Sequence, residues 1–340
     1  MKLRYFILRR LIMLVPVLLG VSVVMFFITH VVPSSPARLI GGPHATEETI
    51  RQIESELGLD RPLHLQYGIY IRKVLSGDFG ISIHSRNPVI EDLKNYFPAT
   101  FELTSLAMLI TLIIGIPLGV FSATHKDRAA DHATRLFSLS GVAMPLFWLG
   151  LLLQLLLSSY FKLLPVGGRI DPLVTLLHPI RHMSGLYLID TLITGNWPAF
   201  KSAVLHIILP TTTLVYFLLA TLTRMSRSSM LEILRQDYIR NAMADGLPEK
   251  TIFYRYALRN ALIPTVTIAG LTYGLLLGGD FLVEIIYSWP GLGFYAVGSM
   301  ASLDFPAIMG VTMLVAVIFV TVNLIVDILY AVLDPRIRYG

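Results

Sequence analysis

Few residues in this 340-residue chain are placed to do covalent chemistry. The groups that stand out are carboxylates at the ends of apolar runs: Asp280, Glu284 and Asp327. A charge at membrane depth is costly, so such groups are paired or face a polar pathway. Asp280 and Glu284 fit two readings, a pathway lining that meets a cationic group or a solvated helix end. For Asp327 a structural pair is the plainer reading, with Arg336 or a loop arginine as partner. His30, His84, His125 and His132 are scattered without metal-ligand spacing. No nucleophile has a recognisable base, and no Gly-x4-Gly-Lys-Ser/Thr phosphate loop occurs. Cysteine is absent, which removes disulfides and thiolate metal or redox sites. The expectation is a chain with no catalytic residues, no metal and no cofactor of its own.

The elements that carry these residues are apolar and long. Of the residues, 54% are hydrophobic and 14% charged, and mean hydropathy is +0.68. Soluble domains are about 25% charged, so composition alone gives a membrane protein. A spanning helix needs about 20 mostly apolar residues. Six runs qualify: 11–32, 101–123 with Glu102 at its edge, 136–160, 204–223, 261–283 and 307–332. The stretch 187–194 is too short and carries Asp190, so it reads as an interfacial or re-entrant piece. Pro16, Gly20, Gly115, Pro117, Gly119, Gly141 and Pro145 interrupt the runs, which is tolerated where neighbouring helices cover freed backbone groups. The basic start followed by a long apolar run reads as a first span rather than a cleavable leader.

Lysine and arginine lie outside these runs. If the spans alternate, one side holds Lys2, Arg4, Arg9, Arg10, Lys126, Arg128, Arg135, seven residues from Arg224 to Arg259, and Arg336 and Arg338. The long segment after the first run barely votes, so the short connections place both termini in the cytoplasm. The net charge of +5 is thus a topology signal, and nucleic acid is not an expected partner. The fold class is an all-α polytopic membrane protein with six transmembrane helices, both termini cytoplasmic, and a small extracytoplasmic insert. Its parts are 1–32 as the first helix, 33–100 as the insert, and 101–340 as a five-helix core with a cytoplasmic loop at 224–260.

The insert reads as a small folded cover or docking surface. Thr46 caps a helix whose first turn holds Glu47 and Glu48, Ile50, Ile53 and Leu57 recur at helical spacing, and Gly58 ends it. A second helix is expected over 63–75. In the loop 224–260, Ser229 and Glu232 fit a capping box. Asp237 caps a short helix over 238–245, and Gly246 is the residue a helix C-terminus prefers. Pro248 then opens the helix leading into the fifth span. The apolar residues Tyr238, Ile239 and Met243 need a cover, either lipid headgroups or a socket on a partner.

At this loop the sequence resembles a known family. RSSMLEILRQDYIRNAMADGL followed by YALRNALIPTVT is similar to the cytoplasmic coupling loop of the dipeptide/oligopeptide/nickel branch of ABC permeases. The wider importer pattern is Glu-Ala-Ala, three residues, Gly, nine residues, Ile-x-Leu-Pro; Ala242, Gly246 and Leu258 match it, and Arg240, Asn241, Tyr256 and Arg259 depart. Tyr238, Ile239, Arg240 and Ala242 agree with the Tyr-Ile-Arg-x-Ala of the peptide branch. FILRRLIMLVPVLLGVSVVMFF, LGLDRPLHLQY, SGDFGISIHSRNPV, SWPGLG at Ser288–Gly293 and NLIVDILYAVLDPRIR at Asn323–Arg338 extend the resemblance over almost the whole chain. Pro33, Ser34, Ser35 and Pro36 depart from the family's Pro-Gly-Asp-Pro.

The resemblance implies a permease subunit of the inner membrane forming half of a translocation pathway for di- or oligopeptides, or alternatively for nickel or another small solute. It implies a second related permease, two ATP-binding subunits that carry the ATP and magnesium, an extracytoplasmic solute-binding protein, and the lipid bilayer. It assigns Asp237, Tyr238, Ile239, Arg240, Ala242, Met243, Gly246 and Leu247 to coupling with the ATPase. Glu284 looks like an acid of the family, and Asp280 does not follow from it. A secondary transporter would instead show internal repeats with ionisable groups near mid-membrane. An intramembrane protease would need a catalytic constellation.

Overall fold

The computed structural model describes residues 3–31, 45–57 and 61–333. Among these, regular structure is helical apart from one isolated pairing of Ile81 with Pro88. In chain order the helices are α1 (Leu3–Val31), α2 (Glu47–Leu57), α3 (Leu63–Leu75), α4 (Val89–Thr124), α5 (Ala129–Ala143) and α6 (Leu146–Leu153), which runs on as a wider π-helical stretch (Gln154–Tyr160). Then come α7 (Pro172–Leu177), α8 (Tyr187–Ile193), α9 (Trp197–Leu234), α10 (Asp237–Ala244), α11 (Glu249–Leu277), α12 (Phe281–Ile286), α13 (Leu292–Ala301) and α14 (Phe305–Leu333).

Five of these helices, α1, α4, α9, α11 and α14, are long and apolar enough to cross a membrane. The chain is therefore an all-α polytopic membrane protein, as its composition indicates. The third expected span is not one straight helix: α5 and α6 meet at 99°, and the crossings number six if this bent pair is counted as one span and five if it is a re-entrant loop. The cause is local. Pro145 has no amide to donate and pushes the residue before it out of the helical region. Met144 accordingly takes φ −84°, ψ 122°.

The centre of the bundle is the contact between α4 and α9, the broadest in the molecule. Gly115 and Gly119, one turn apart on α4, let the two backbones meet, as small residues do in membrane helix pairs. A Cβ on Gly119 would lie 2.6 Å from Ser226 Cβ and 2.7 Å from the Thr223 carbonyl oxygen. Leu103, Leu209, Leu214, Leu218 and Leu222 fill the seam and are fully buried. The outer helices α11 and α14 pack on each other, and α1 leans on α14. The far side of α1 leaves Leu11, Ile12, Val15, Val24 and Phe27 exposed. In water that patch would drive association, whereas lipid tails cover it at no cost.

The insert follows its sequence signals closely. Thr46 Oγ1 accepts the Thr49 amide at 3.2 Å and opens α2, while α3 spans the expected residues and ends before Gly77 at φ +79°. Ser22 of α1 and Tyr67 of α3 share a hydrogen bond of 2.8 Å, and Phe26 meets Tyr67 edge to face and Tyr70 at a tilt. Gly58, the turn at 33–36 and Arg336 lie outside the described residues.

Candidate functional site

Two places gather the residues singled out by type and spacing. The first is the short helix α10. Its N-cap is Gln236 in extended geometry without a side-chain cap bond. The expected cap is corrected: Asp237 is the first helical residue and makes an exposed 3.5 Å ion pair with Arg240, a contact of little energetic weight. Ser229 and Glu232 likewise start no helix, because α9 runs unbroken through both to Leu234.

The C-terminus of α10 is closed by two bonds. The Gly246 amide donates to the Met243 carbonyl at 3.1 Å, and the Leu247 amide donates to the Ala242 carbonyl at 3.3 Å. This is the Schellman pattern, which needs a left-handed residue just past the helix. Gly246 supplies it at φ +73°, and a Cβ there would meet nothing within 4 Å. Conformation, not space, requires glycine at this position.

The two faces of α10 differ. Ile239 and Ala242 are buried against Val120, Ala123, Met230, Ile252, Ala257 and Ala261. Ile239 therefore needs no external cover, a second correction, since the ends of α4, α9 and α11 provide one. Tyr238 at 41% and Met243 at 48% exposure remain open, beside the exposed Arg240 and Asn241. Asn260 Nδ2 donates to Tyr238 Oη at 2.9 Å and steadies the ring. The result is a knob about 12 Å long, fixed on one face and bare on the other. It carries no nucleophile or acid–base pair; what it can do is dock.

The second place is the opposite end of the bundle. The long helix α11 stops at Leu277, and Gly279 turns the chain at φ +103°. The fifth span thus ends before Val283, and Asp280 and Glu284 belong to the separate helix α12. Asp280 caps that helix, accepting the Val283 amide at 3.3 Å; burial lifts its pKa above the ordinary carboxylate value against the pull of the Val283 and Leu282 amides. Glu284 is fully buried. It accepts from Thr100 Oγ1 at 2.6 Å and from the Phe294 amide at 2.9 Å. Burial, aided by the like charge of Asp280, pushes its pKa up to about 7 against these bonds. Thr100 Oγ1 also accepts the Leu292 amide at 2.7 Å, and Trp289 Nε1 donates to the Ala99 carbonyl at 2.9 Å. Glu284 with these neighbours straps α12 and α13 across α4. With no exposed surface, its carboxylate faces no open pathway in this conformation. Asp327 is half-buried near the end of α14.

Charged groups that sequence reading missed lie beside this strap. Arg169 Nη2 donates to Glu102 Oε2 at 2.6 Å and to the Gly185 carbonyl at 2.8 Å. Glu102 Oε1 accepts the Leu188 amide at 2.7 Å. Asp190 gathers the amides of Met183, Ser184 and Gly185 and the Ser184 hydroxyl. Burial raises the Asp190 pKa, but these donors outweigh it and hold the group below its ordinary value. The only sequence signal was a charge at the edge or middle of an apolar run; the partners lie in distant, irregular segments.

Comparison with known proteins identifies the family of the chain. A family model described as the binding-protein-dependent transport system inner membrane component matches residues 115–339. A second, for the N-terminal part of such membrane components, matches residues 3–104. The probable D,D-dipeptide transport system permease protein of Escherichia coli K12 is 46% identical over 96% of this chain and 95% of its own length. The dipeptide transport system permease protein of Alkalihalophilus pseudofirmus is 42% identical over 97% of this chain and 98% of its own. The glutathione transport system permease protein of Salmonella choleraesuis is 37% identical over 98% and 99%.

Proposed function

The chain belongs to the family of binding-protein-dependent transport system inner membrane components, and from that premise we propose that it forms half of the translocation pathway for di- or oligopeptides in an ATP-driven importer. It is a multi-pass inner-membrane transport subunit that works with an ATPase and a solute-binding protein. Membership sets aside the secondary-transporter and protease readings. The observation that carries the peptide reading is near-full-length identity to two proteins named for dipeptide transport.

The finer assignments rest on physical arguments. Both termini and the loop 224–260 face the cytoplasm, supported by the basic short connections. Residues 1–32 form the leading helix, 33–100 the extracytoplasmic insert, and 101–340 the five-helix core. The other half of the pathway is a second, related permease, giving a heterodimer. ATP and magnesium are held by two partner ATP-binding subunits, since this sequence has no phosphate loop. The bare face of α10, with Tyr238, Arg240 and Met243, docks on one of them, and Gly246 and Leu247 fix its angle.

The test is reconstitution of the complex with its genomic neighbours in liposomes. Uptake of labelled Ala-Ala is expected to require ATP and the binding protein. Uptake without either would overturn the proposal. A reporter fused within 47–94 is expected to read outside; a cytoplasmic signal would overturn the orientation.

A further inference from the structure

A cavity of about 460 Å³ opens at the end of the bundle away from α10, lined by residues including Lys94, Asn95, Arg169, His182, Ser184 and Tyr187. Its volume lies in the range of small-ligand sites, about 300–1,000 Å³. No carboxylate lines it, while three side chains that carry or can take a positive charge do. The two acids nearby are already engaged. Glu102 holds Arg169 and the Leu188 amide, and Asp190 holds the turn 183–185. Both therefore shape the wall without neutralising its mouth.

Arg169 is the deepest of the cations, 7% exposed. Its guanidinium carbon lies 3.7 Å above the centre of the Tyr187 ring, and Nη2 is saturated by Glu102 and Gly185. Its Nε is buried and has no hydrogen-bond partner. A buried donor left unmade is costly, but Nε has no surface open to the cavity, so what Arg169 offers there is its charge. Lys94, on the second turn of α4, is exposed at the rim and forms no ion pair with any described carboxylate. A zwitterionic peptide leaving water loses the hydration of its carboxylate, and a site offering an ammonium backed by a guanidinium charge replaces it.

We propose that this cavity binds the terminal carboxylate of the peptide on its way into the pathway, with Lys94 Nζ as its donor, the positive charge of Arg169 behind it, and the Glu102 and Asp190 networks as positioning groups. The inference rests on the peptide reading above. A phospholipid phosphate offers the same acceptor chemistry, and the experiment separates the two.

The purified complex, in nonionic detergent and without the binding protein, is titrated with Ala-Ala and with Ala-Ala amide by saturation-transfer NMR. Ala-Ala is expected to bind at least fivefold more tightly than the amide. Lys94→Gln is expected to weaken Ala-Ala at least fivefold and leave the amide unchanged. Lys94 is exposed, so this variant leaves the fold intact. The double variant Glu102→Gln/Arg169→Gln, which removes both members of the buried pair together, is expected to abolish the preference. Equal binding of peptide and amide, or no effect of Lys94→Gln, overturns the site. Displacement by added phosphatidylglycerol with no Ala-Ala signal overturns it in favour of a headgroup. Uptake of Ala-Ala by the full complex is measured in parallel: import with no carboxylate preference in the cavity defeats this inference alone, and absence of import defeats the peptide reading itself.

Discussion

Arg227 of α9 grips Asp131 of α5 with two parallel bonds, Nε to Oδ1 at 2.6 Å and Nη2 to Oδ2 at 2.8 Å. Asp131 is fully buried and also accepts from Ser122 Oγ at 2.6 Å and the Asp127 amide at 3.1 Å. One carboxylate thereby joins the end of α4, the start of α5 and the stretch of α9 that leads into α10. A buried pair of this kind adds little net stability, but removing one member leaves an uncompensated charge.

Arg227→Met is accordingly expected to destabilise the complex by about 3 kcal/mol. A drop in the thermal midpoint in detergent checks it. Arg227→Met with Asp131→Leu is expected to recover most of the loss, because no charge stays buried. If the double variant melts no higher than the single one, the pair is not what holds this corner.

Gly246→Val is expected to strain the Schellman closure by roughly 1–2 kcal/mol, the cost of a left-handed conformation with a Cβ. Since nothing surrounds the position, the spans still insert and only the angle of α10 changes. ATPase association or uptake is expected to fall while expression holds. Gly246→Asn, which tolerates this conformation better, is expected to be milder. Normal association together with normal uptake in the valine variant would remove α10 from the coupling role.

Glu284 gives a pH signature. Its pKa rises from an ordinary 4.5 to about 7, so the folded protein prefers the protonated form. The stability this preference contributes is complete below about 4.5 and is lost as pH climbs through 7. The melting midpoint is expected to fall between about pH 5 and pH 8 in the natural protein, with a flatter profile in Glu284→Gln. Parallel profiles for the two proteins would assign the dependence elsewhere.

Gly119→Leu is expected to prise α4 from α9, because its first side-chain carbon already meets Ser226 and Thr223. Overpacking typically costs about 1–3 kcal/mol, and the contact here is partly backbone, which cannot rotate away. Gly119→Ala is expected to show a smaller loss. Thermal midpoints of the two variants order the effect, and a leucine variant as stable as the natural protein would show that the helices part freely.

Periodic features were legible in the sequence and pairwise ones were not. Apolar length gave α1, α4, α9, α11 and α14, and cap chemistry at Thr46 and Gly246 gave the ends of α2 and α10. The break at Pro145 was visible as a residue but not as a right angle, because whether a proline kinks or ends a helix depends on what packs beside it. The short helices α7, α12 and α13 have too few residues for a periodic signal. Glu102 with Arg169, and Asp131 with Arg227, stand 67 and 96 positions apart. No local rule connects such groups; only the folded bundle does.

The placement of α1 bears on how the chain is made. Of the described helices, α1 is made before all the others, yet its principal neighbour is α14, the most distant from it along the chain. Its outward side chains, Leu11 through Phe27, are at ease in lipid from the moment of insertion. It therefore waits, a finished cylinder without its mate, while some three hundred further residues are synthesised. This seam of the bundle can close only once α14 has been made.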